Sequence, residues 1–142
     1  MNKQISNFSR RKFVGFGLAS ALAPSVVRGK SPNGKLNMGI IGSGGRGGAN
    51  LNGVKAENIH TLCDINRKTL EAVQKRFKGA KTTTDWREVV SNPDIDAVVI
   101  STADHHHAPA AIAAMRAGKH VYCEKPLAHT VQEARWMQEE YA

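Results

Sequence analysis

Cysteine and aromatic residues are scarce in this chain of 142 residues, which contains two cysteines and 6% phenylalanine, tyrosine and tryptophan. Two cysteines form one disulfide at most, and 142 residues are enough for one domain with a sizeable hydrophobic core. Long apolar runs are also missing. The longest, Phe13 to Ala23, is far shorter than the roughly 20 residues of a membrane-spanning helix. These absences exclude stable membrane insertion and predict a globular domain.

Acidic residues are outnumbered, with 12 against 20 lysines and arginines and a net charge of +8. Four of the excess positive charges lie in the first 23 residues, which contain no acidic residue (Lys3, Arg10, Arg11 and Lys12). The other basic residues are spread along the chain, and no basic stripe interleaved with aromatic residues is present. Such a stripe is typical of a nucleic-acid-binding surface, so the sequence predicts no nucleic-acid partner.

The first 23 residues have the pattern of a targeting segment. In "SRRKFVGFGLASALA", Ser9 to Ala23, basic residues precede the apolar run and small residues follow it. This pattern predicts a signal peptide over residues 1–23, and its Ser-Arg-Arg-x-Phe core favours the twin-arginine type. A general-secretion signal and an uncleaved amphipathic segment are the alternatives. Residues 24–35 are predicted to be a polar linker, and the expected destination is the periplasm.

Short apolar runs alternate with amphipathic stretches from residue 36 onward. Strands are predicted at 36–41, 58–63, 81–84, 96–101 and 120–123, with helices at 46–54, 66–77, 86–90 and 107–117 between them and a last helix from Thr130. Strands joined by helices form βαβ units, which build parallel sheets with right-handed crossovers. The predicted fold over residues 36–142 is therefore α/β, a Rossmann-type doubly wound parallel sheet with strand order 3-2-1-4-5.

Five glycines occur within seven residues directly after the first predicted strand. Gly42-x-Gly44-x-x-Gly47 fits the dinucleotide-binding fingerprint and lies between a strand and a helix, as that motif requires. The first glycine allows a tight turn, the second a close approach of the pyrophosphate, and the third close packing of helix and strand. Together with Gly45 and Arg46, these residues are predicted to bind cofactor phosphates at the helix amino terminus. A flexible linker is the alternative.

Asp64 follows the second predicted strand, where an acidic residue is expected to accept hydrogen bonds from the adenosine ribose. A carboxylate there binds two hydroxyls but repels a 2′-phosphate, so NAD is favoured over NADP. Arg67 and Lys68 are near enough in sequence to weaken that repulsion, which keeps NADP as the alternative. Asp64 as the N-cap of the next helix is the alternative structural interpretation.

Polar residues also follow the fourth and fifth strands, at the edge that faces the ligand crevice of a parallel sheet. Thr102, Asp104 and His107 either face cofactor or substrate there, or serve as a helix cap and as surface residues. Glu124 is predicted to accept from ribose hydroxyls and Lys125 to act as a cation, acid or base at a reacting carbon, with an internal Glu–Lys pair as the alternative. Neighbouring histidines do not converge on one ion, so no metal site is predicted.

Three stretches, "GIIGSGGRG", "LCDIN" and "DAVVISTADHHHAPAAIAAMRAGKHVYCEKPLAHTVQEA", together resemble the Gfo/Idh/MocA oxidoreductases, and most resemble their exported, twin-arginine-bearing branch. The resemblance covers Lys35 to Ala142. It implies an NAD(P)-dependent oxidoreductase that acts on a sugar or polyol. The three fingerprint glycines would hold the pyrophosphate, and Asp64 would hold the adenosine ribose.

The same resemblance implies roles for the residues after the fourth and fifth strands. Thr102, Asp104 and His107 would line the nicotinamide side. Glu124 and Lys125 would reach the nicotinamide ribose and the reacting carbon, with Lys125 polarising or protonating the substrate oxygen as the catalytic residue. The chain departs from the family at residue 103, an alanine where the family often has proline.

Members of that family continue into a second domain that supplies the substrate pocket. Because this sequence stops within a predicted helix, we expect a truncated Rossmann domain that lacks the substrate domain and is inactive alone, and a homo-oligomer for the full-length protein. An NAD-dependent glycosidase of the same family and a non-catalytic nucleotide-binding module are the alternative functions.

The predicted strand order also separates the two cysteines. Cys63 ends the second strand and Cys123 the fifth, so two strands lie between them. Three strand spacings of about 4.8 Å put the backbones roughly 14 Å apart. A disulfide requires Cα atoms within about 7 Å of each other, so both thiols are predicted to be free.

Overall fold

A computed structural model of the chain describes residues 34–142. The predicted signal peptide lies outside the described residues, as does the predicted linker apart from its last two residues. Residues Lys35–Ala142 form one compact unit. In this part of the chain, no helix has both the length and the apolar composition needed to cross a membrane.

Five parallel strands form one sheet. They are β1 (Asn37–Ile41), β2 (Asn58–Cys63), β3 (Lys81–Thr83), β4 (Ala97–Ile100) and β5 (His120–Cys123). Their order across the sheet is β3-β2-β1-β4-β5, and every neighbouring pair is parallel. The predicted fold class and strand order are confirmed, and each strand ends within one residue of its predicted limits.

Five α-helices connect and follow the strands. They are α1 (Gly45–Gly53), α2 (Arg67–Gln74), α3 (Trp86–Ser91), α4 (His107–Arg116) and α5 (Val131–Tyr141). A short 3-10 turn, Asp104–His106, precedes α4 and was not predicted. Asp85 caps α3, and Thr130 caps α5 in a reciprocal capping box with Glu133.

The sheet is covered on both faces, which explains the continuous apolar runs of its central strands. On one face, Ile40 and Leu62 pack with Leu51 of α1 and with α2. On the other, Val98 and Ile100 pack with the helices α3, α4 and α5. The ligand crevice of a parallel sheet lies at the carboxyl ends of its strands, where the connecting loops begin. A separate apolar groove of about 480 Å³ stays open beside α1, over parts of β4 and β5.

Candidate functional site

A cleft of about 590 Å³ opens at the carboxyl ends of the strands. Its walls come from the loops that follow β1, β2, β3 and β4. Four residues that the sequence predicted for the site line this cleft together: Gly42, Gly44, Asp64 and Thr102. Residues that were not predicted for the site also line the cleft; they include Ile65, Thr69, Thr84, Trp86, Arg87, His105 and His106.

The glycine turn between β1 and α1 is built so that side chains do not fit. Gly42 has a φ of +84°, and a Cβ there would lie 2.6 Å from the carbonyl oxygen of Ser101. A Cβ on Gly47 would overlap the carbonyl oxygen of Gly42, so α1 starts in close contact with the end of β1. A Cβ on Gly44 would lie 2.8 Å from the side-chain methyl carbon of Thr69.

The amino terminus of α1 presents backbone donors beside this turn. Its first intrahelical hydrogen bond runs from the amide of Gly48 to the carbonyl of Gly44, at 3.3 Å. The amides of Gly45, Arg46 and Gly47 come before that bond and so have no acceptor within the helix. Free amides at a helix amino terminus, with the positive end of the helix dipole, form a binding site for an anion such as a phosphate.

Asp64 connects the glycine turn to the loop after β2. Its Oδ2 accepts from the amides of Ser43 and Gly44, at 3.0 and 3.1 Å, and its Oδ1 accepts from the amide of Asn66, at 2.9 Å. The N-cap of α2 is Asn66, so the alternative interpretation of Asp64 as the cap was wrong. Asp64 therefore fixes the turn while its carboxylate still borders the cleft.

The basic residues nearest to the cleft differ from those the sequence suggested. Arg67 lines a separate polar groove beside β3, and Lys68 lines neither that groove nor the cleft. Arg87 lines the cleft instead, and its guanidinium carbon lies 4.7 Å from the ring centroid of Trp86. Trp86 and Arg87 come just after β3, and residues that follow a parallel strand are expected to face the ligand crevice, so their position in the sequence is a signal for this site.

Glu124 lies at the end of β5 in a network that the sequence did not predict. It is only 7% exposed, and its carboxylate accepts from Arg46 Nε at 3.0 Å, Asn50 Nδ2 at 3.1 Å and the Tyr122 hydroxyl at 3.1 Å. The hydrogen bond from Asn50, with those from Arg46 and Tyr122, keeps the pKa of Glu124 below its ordinary value despite the opposing effect of burial. The ion-pair partner of Glu124 is Arg46, so the Glu–Lys pair was wrong.

Lys125 follows Glu124 and is exposed. Within residues 34–142 its amine has no hydrogen-bond or ion-pair partner, and the peptide bond to Pro126 is cis. Lys125, Glu124 and Arg46 lie outside the walls of the 590 Å³ cleft, on the side of β5. The site therefore has two parts along one sheet edge, a cleft beside β1 to β4 and a polar segment after β5.

Two histidines join the loop after β4 to the loop after β5. His129 Nδ1 lies 3.0 Å from Asp104 Oδ2, and this hydrogen bond lowers the pKa of Asp104 and raises the pKa of His129. His107 is 1% exposed, and its ring contacts the carbonyl oxygens of Pro126 and Thr102. The structure places His107 beneath the loops, away from the open surface, and places Asp104 in the pair with His129. Neither lines the cleft.

The residues of the cleft fit a dinucleotide. At Gly45 a Cβ would meet no protein atom within 4 Å, so the backbone there is open to a ligand. The helix supplies free amides, and Asp64 supplies an acceptor. Trp86 and Ile65 add apolar surface of the kind that binds a flat base. Among residues 34–142, no group of three or more histidine, cysteine or acidic side chains is arranged to hold a metal ion.

Residues 36–142 match the model of an oxidoreductase family with an NAD-binding Rossmann fold, Gfo/Idh/MocA. The chain is 37% identical over 113 residues to levoglucosan dehydrogenase of Pseudarthrobacter phenanthrenivorans, a match that covers 72% of this chain and 29% of that protein. It is 35% identical over 138 residues to a glycosyl hydrolase family 109 protein of Solibacter usitatus, covering 82% of this chain and 32% of that one.

The fold is also similar to a solved structure of myo-inositol dehydrogenase from Lactobacillus casei in complex with NAD(H) and myo-inositol. The TM-score is 0.70 at 27% identity, over 75% of this chain and 33% of that one. The chain thus spans about a third of the length of the proteins it matches.

Proposed function

The chain belongs to the Gfo/Idh/MocA oxidoreductase family, and from this premise we propose that it is the NAD-binding part of an oxidoreductase that transfers hydride between a nicotinamide cofactor and a sugar or polyol. The observation that carries the proposal is the glycine turn tied to Asp64 at the mouth of the 590 Å³ cleft. The relatives named as levoglucosan and myo-inositol dehydrogenases support a polyhydroxylated substrate.

Each part of the site has a role in this proposal. The amides of Gly45, Arg46 and Gly47 would hold the pyrophosphate, and Asp64 would accept from the adenosine ribose. Bound NAD supplies the hydride acceptor for a hydroxyl-bearing carbon, and its reduced form supplies the donor. Lys125, whose amine has no partner within the described residues, would polarise or protonate the substrate oxygen.

Two segments of the chain would border the nicotinamide half of the cofactor. Thr102 lies in the wall of the cleft after β4. Glu124 already accepts three hydrogen bonds, and a carboxylate has about four acceptor positions, so one remains for a ribose hydroxyl. Asp104 and His107 would act on this half through the loops they join.

Calorimetric titration of NAD into the chain tests the proposal. We expect saturable binding that Asp64→Ala weakens by about ten-fold, or 1.4 kcal/mol, because it removes both a ribose acceptor and the anchor of the turn. Asp94→Ala is the matched control, since Asp94 lies at the opposite sheet edge. Absence of NAD binding by the native chain would contradict the proposal, as would equal affinities of the two variants.

The same titration with NADP tests cofactor choice. The carboxylate of Asp64 repels a 2′-phosphate, and neither Arg67 nor Lys68 lines the cleft to offset this repulsion. NADP is therefore expected to bind more weakly than NAD, and Asp64→Ala should reduce the difference between the two affinities. Tighter binding of NADP than of NAD would point instead to Arg87 as a phosphate partner.

An NAD-dependent glycosidase is the second candidate, because relatives include a glycosyl hydrolase family 109 protein and an alpha-N-acetylgalactosaminidase of Shewanella oneidensis. In that reaction a hydride would be borrowed and returned, so a glycoside would be hydrolysed without net reduction of the cofactor. Product analysis of the complete enzyme separates the candidates. A module that only binds nucleotide would bind NAD and form neither product.

Export and assembly complete the proposal. Ser9-Arg10-Arg11-Lys12-Phe13 supports export by the twin-arginine route to the periplasm, which would carry the protein after it has folded around its cofactor. Replacing Arg10 and Arg11 by lysine should retain the precursor in the cytoplasm, and unchanged export would favour general secretion. We expect the full-length protein to be a homo-oligomer, which light scattering would measure.

A further inference from the structure

The buried ring of His107 contacts the main chain of two loops that border the site. Its Nδ1 lies 2.7 Å from the carbonyl oxygen of Pro126, in the loop after β5. Its Nε2 lies 3.0 Å from the carbonyl oxygen of Thr102, in the loop after β4. The ring is 1% exposed, so water does not compete for these contacts. One side chain at the start of α4 therefore joins the two loops directly.

Each contact holds a whole peptide unit. A carbonyl oxygen only accepts, so the facing ring nitrogen must carry a proton to donate to it. The link is complete when both ring nitrogens carry a proton, whereas a neutral ring donates to one carbonyl and only packs against the other. Because the peptide group is planar, holding the oxygen of Pro126 also holds the amide of Leu127, and holding that of Thr102 also holds the amide of Ala103.

Lys125 lies between two residues whose positions are fixed. Before it, Glu124 is held by three side-chain donors, and its amide donates to the carbonyl of Ile100 at 2.9 Å. After it, Pro126 is held by His107. The amine of Lys125 has no partner of its own within the described residues. A long flexible side chain is placed by the backbone from which it starts, so these two anchors decide where Lys125 can reach.

We propose that His107 is a positioning residue, which locks the loop carrying Lys125 against the loop carrying Thr102 so that both border the same nicotinamide half of the cofactor. The identity of that ligand rests on the proposed function, whereas the link between the loops does not. His107 acts through the two peptide units and does not itself touch the ligand.

Nuclear magnetic relaxation measures the link without any ligand. In His107→Leu, the backbone order parameters of Ala103 and Leu127 should fall from about 0.85, typical of rigid backbone, toward about 0.6. The control is His120→Leu, the same substitution at an exposed position on the opposite edge of the sheet. Unchanged order parameters at both amides in His107→Leu would overturn the proposal.

Two conservative variants each keep one of the two contacts of His107. They also test the link between the loops if His107→Leu does not fold. The amide of asparagine lies near the position of Nδ1, so His107→Asn should keep Leu127 rigid and loosen Ala103. The amide of glutamine lies near the position of Nε2, so His107→Gln should give the opposite result. Equal effects of both variants on the two amides would show that the ring acts only as core packing.

Ligand binding tests the consequence for the site. His107→Leu should weaken NADH binding by about ten-fold because the nicotinamide side is no longer preorganised, while ADP affinity stays within about two-fold. ADP would contact only the glycine turn and the Asp64 region. Equal losses for both ligands, or no loss for either, would overturn the positioning role. If the native chain binds neither NADH nor ADP, the proposed function is wrong. The order parameters of Ala103 and Leu127 still test whether His107 links the two loops.

Discussion

Gly42, Gly44 and Gly47 belong to one motif, yet each position requires glycine for a different physical reason. Gly42 has a left-handed φ, and Ser101 stands where its Cβ would be. Gly47 has no space because the backbone of Gly42 touches it. At Gly44 the neighbour is the methyl group of Thr69, a side-chain tip that can move. Substitutions at these positions should therefore have separable effects on folding and on ligand binding.

Gly47→Ala is expected to destabilise the fold by about 3 kcal/mol, because the added methyl group overlaps main chain that cannot move aside. Gly44→Val should cost about 1 kcal/mol or less of stability and abolish NAD binding, because its branched side chain occupies the phosphate position. Thermal unfolding and calorimetric titration measure the two effects.

Gly53→Ala is the matched control, since nothing lies within 4 Å of the added Cβ and the site is at the far end of α1. It should leave NAD affinity unchanged and raise the stability by at most about 1 kcal/mol, because alanine favours the helix more than glycine does. Undiminished NAD affinity in Gly44→Val would refute the assignment of this turn to the phosphate site.

Lys119 is a second position where one side chain has a defined energetic role. It is 8% exposed, and its amine donates to the carbonyl oxygens of Asn92 and Ile95, at 2.7 and 2.9 Å. Lys119→Met keeps the apolar stem but leaves both carbonyls without this donor. We expect a loss of about 2 kcal/mol in the free energy of unfolding, measured in urea. The control is Lys78→Met, at an exposed site, and equal losses in both variants would contradict the role of Lys119.

At the scale of elements, the pair of Asp104 and His129 joins the 3-10 turn before α4 to the loop before α5. Because the pKa of His129 is raised, its contribution to the stability of the fold is complete below the ordinary histidine pKa of 6.5. That contribution is lost as the pH rises through the raised pKa. Because the pKa of Asp104 is lowered, its contribution to the stability of the fold is complete above the ordinary aspartate pKa of 3.8. That contribution is lost as the pH falls through the lowered pKa. The pair is therefore formed fully between these two ordinary values.

A titration of the histidine resonances checks this pair. Asp104→Asn should lower the pKa of His129 toward the ordinary value, although Glu133 keeps part of the increase. His105 also approaches Asp104, at 3.8 Å, so its resonance is followed in the same experiment. His60, which lies on β2 beside Thr61, is the internal control. A pKa of His129 that does not respond to Asp104→Asn would show that the two side chains do not pair in solution.

The limits of the helices were harder to predict than those of the strands. The apolar spacing of α2 extends to Phe77, whereas the helix ends at Gln74, because the following residues form tight turns into Ala80. Its cap is Asn66 rather than Asp64, since the Asp64 carboxylate is already engaged by the glycine turn. The local sequence shows that a helix starts near residue 66. Whether Asp64 caps that helix depends on the glycine turn after β1, whose amides bind the same carboxylate.

At the scale of the whole molecule, the sheet order separates the two cysteines. In the register of the strands, Cys63 lies beside Ile41, Ile41 beside Ile100, and Ile100 beside Cys123. Three spacings of about 4.8 Å make roughly 14 Å, which excludes a disulfide. Both cysteines are free thiols in the structure.

Alkylation followed by mass spectrometry tests this separation. Burial and nearby carboxylates raise the pKa of Cys63 to about 12, and burial with the charge of Glu124 raises the pKa of Cys123 to about 11. The folded, unreduced protein should therefore react slowly even at mildly alkaline pH, and both cysteines should be modified after unfolding. A Cys63–Cys123 bridge in the unreduced protein would contradict the strand order, and with it the arrangement of the site.

The strands and the glycine turn could be predicted from the sequence, because each depends on a local or periodic pattern. The sheet order followed from the assignment of these βαβ units to a doubly wound fold. Alternating apolar runs specify βαβ units whose handedness is fixed, and a glycine fingerprint specifies its own backbone geometry. These patterns were sufficient to place Gly42, Asp64 and Thr102 along one edge of the sheet.

Which polar side chains pair along that edge could not be predicted from the sequence. Arg46 and Asn50 are 78 and 74 residues from Glu124, and His107 is 19 residues from the carbonyl it contacts in Pro126. A parallel sheet brings such residues within reach of several partners at once. The choice among those partners depends on burial, on the direction of each loop and on the hydrogen-bonding groups that packing leaves unpaired, and no local pattern in the sequence records these properties.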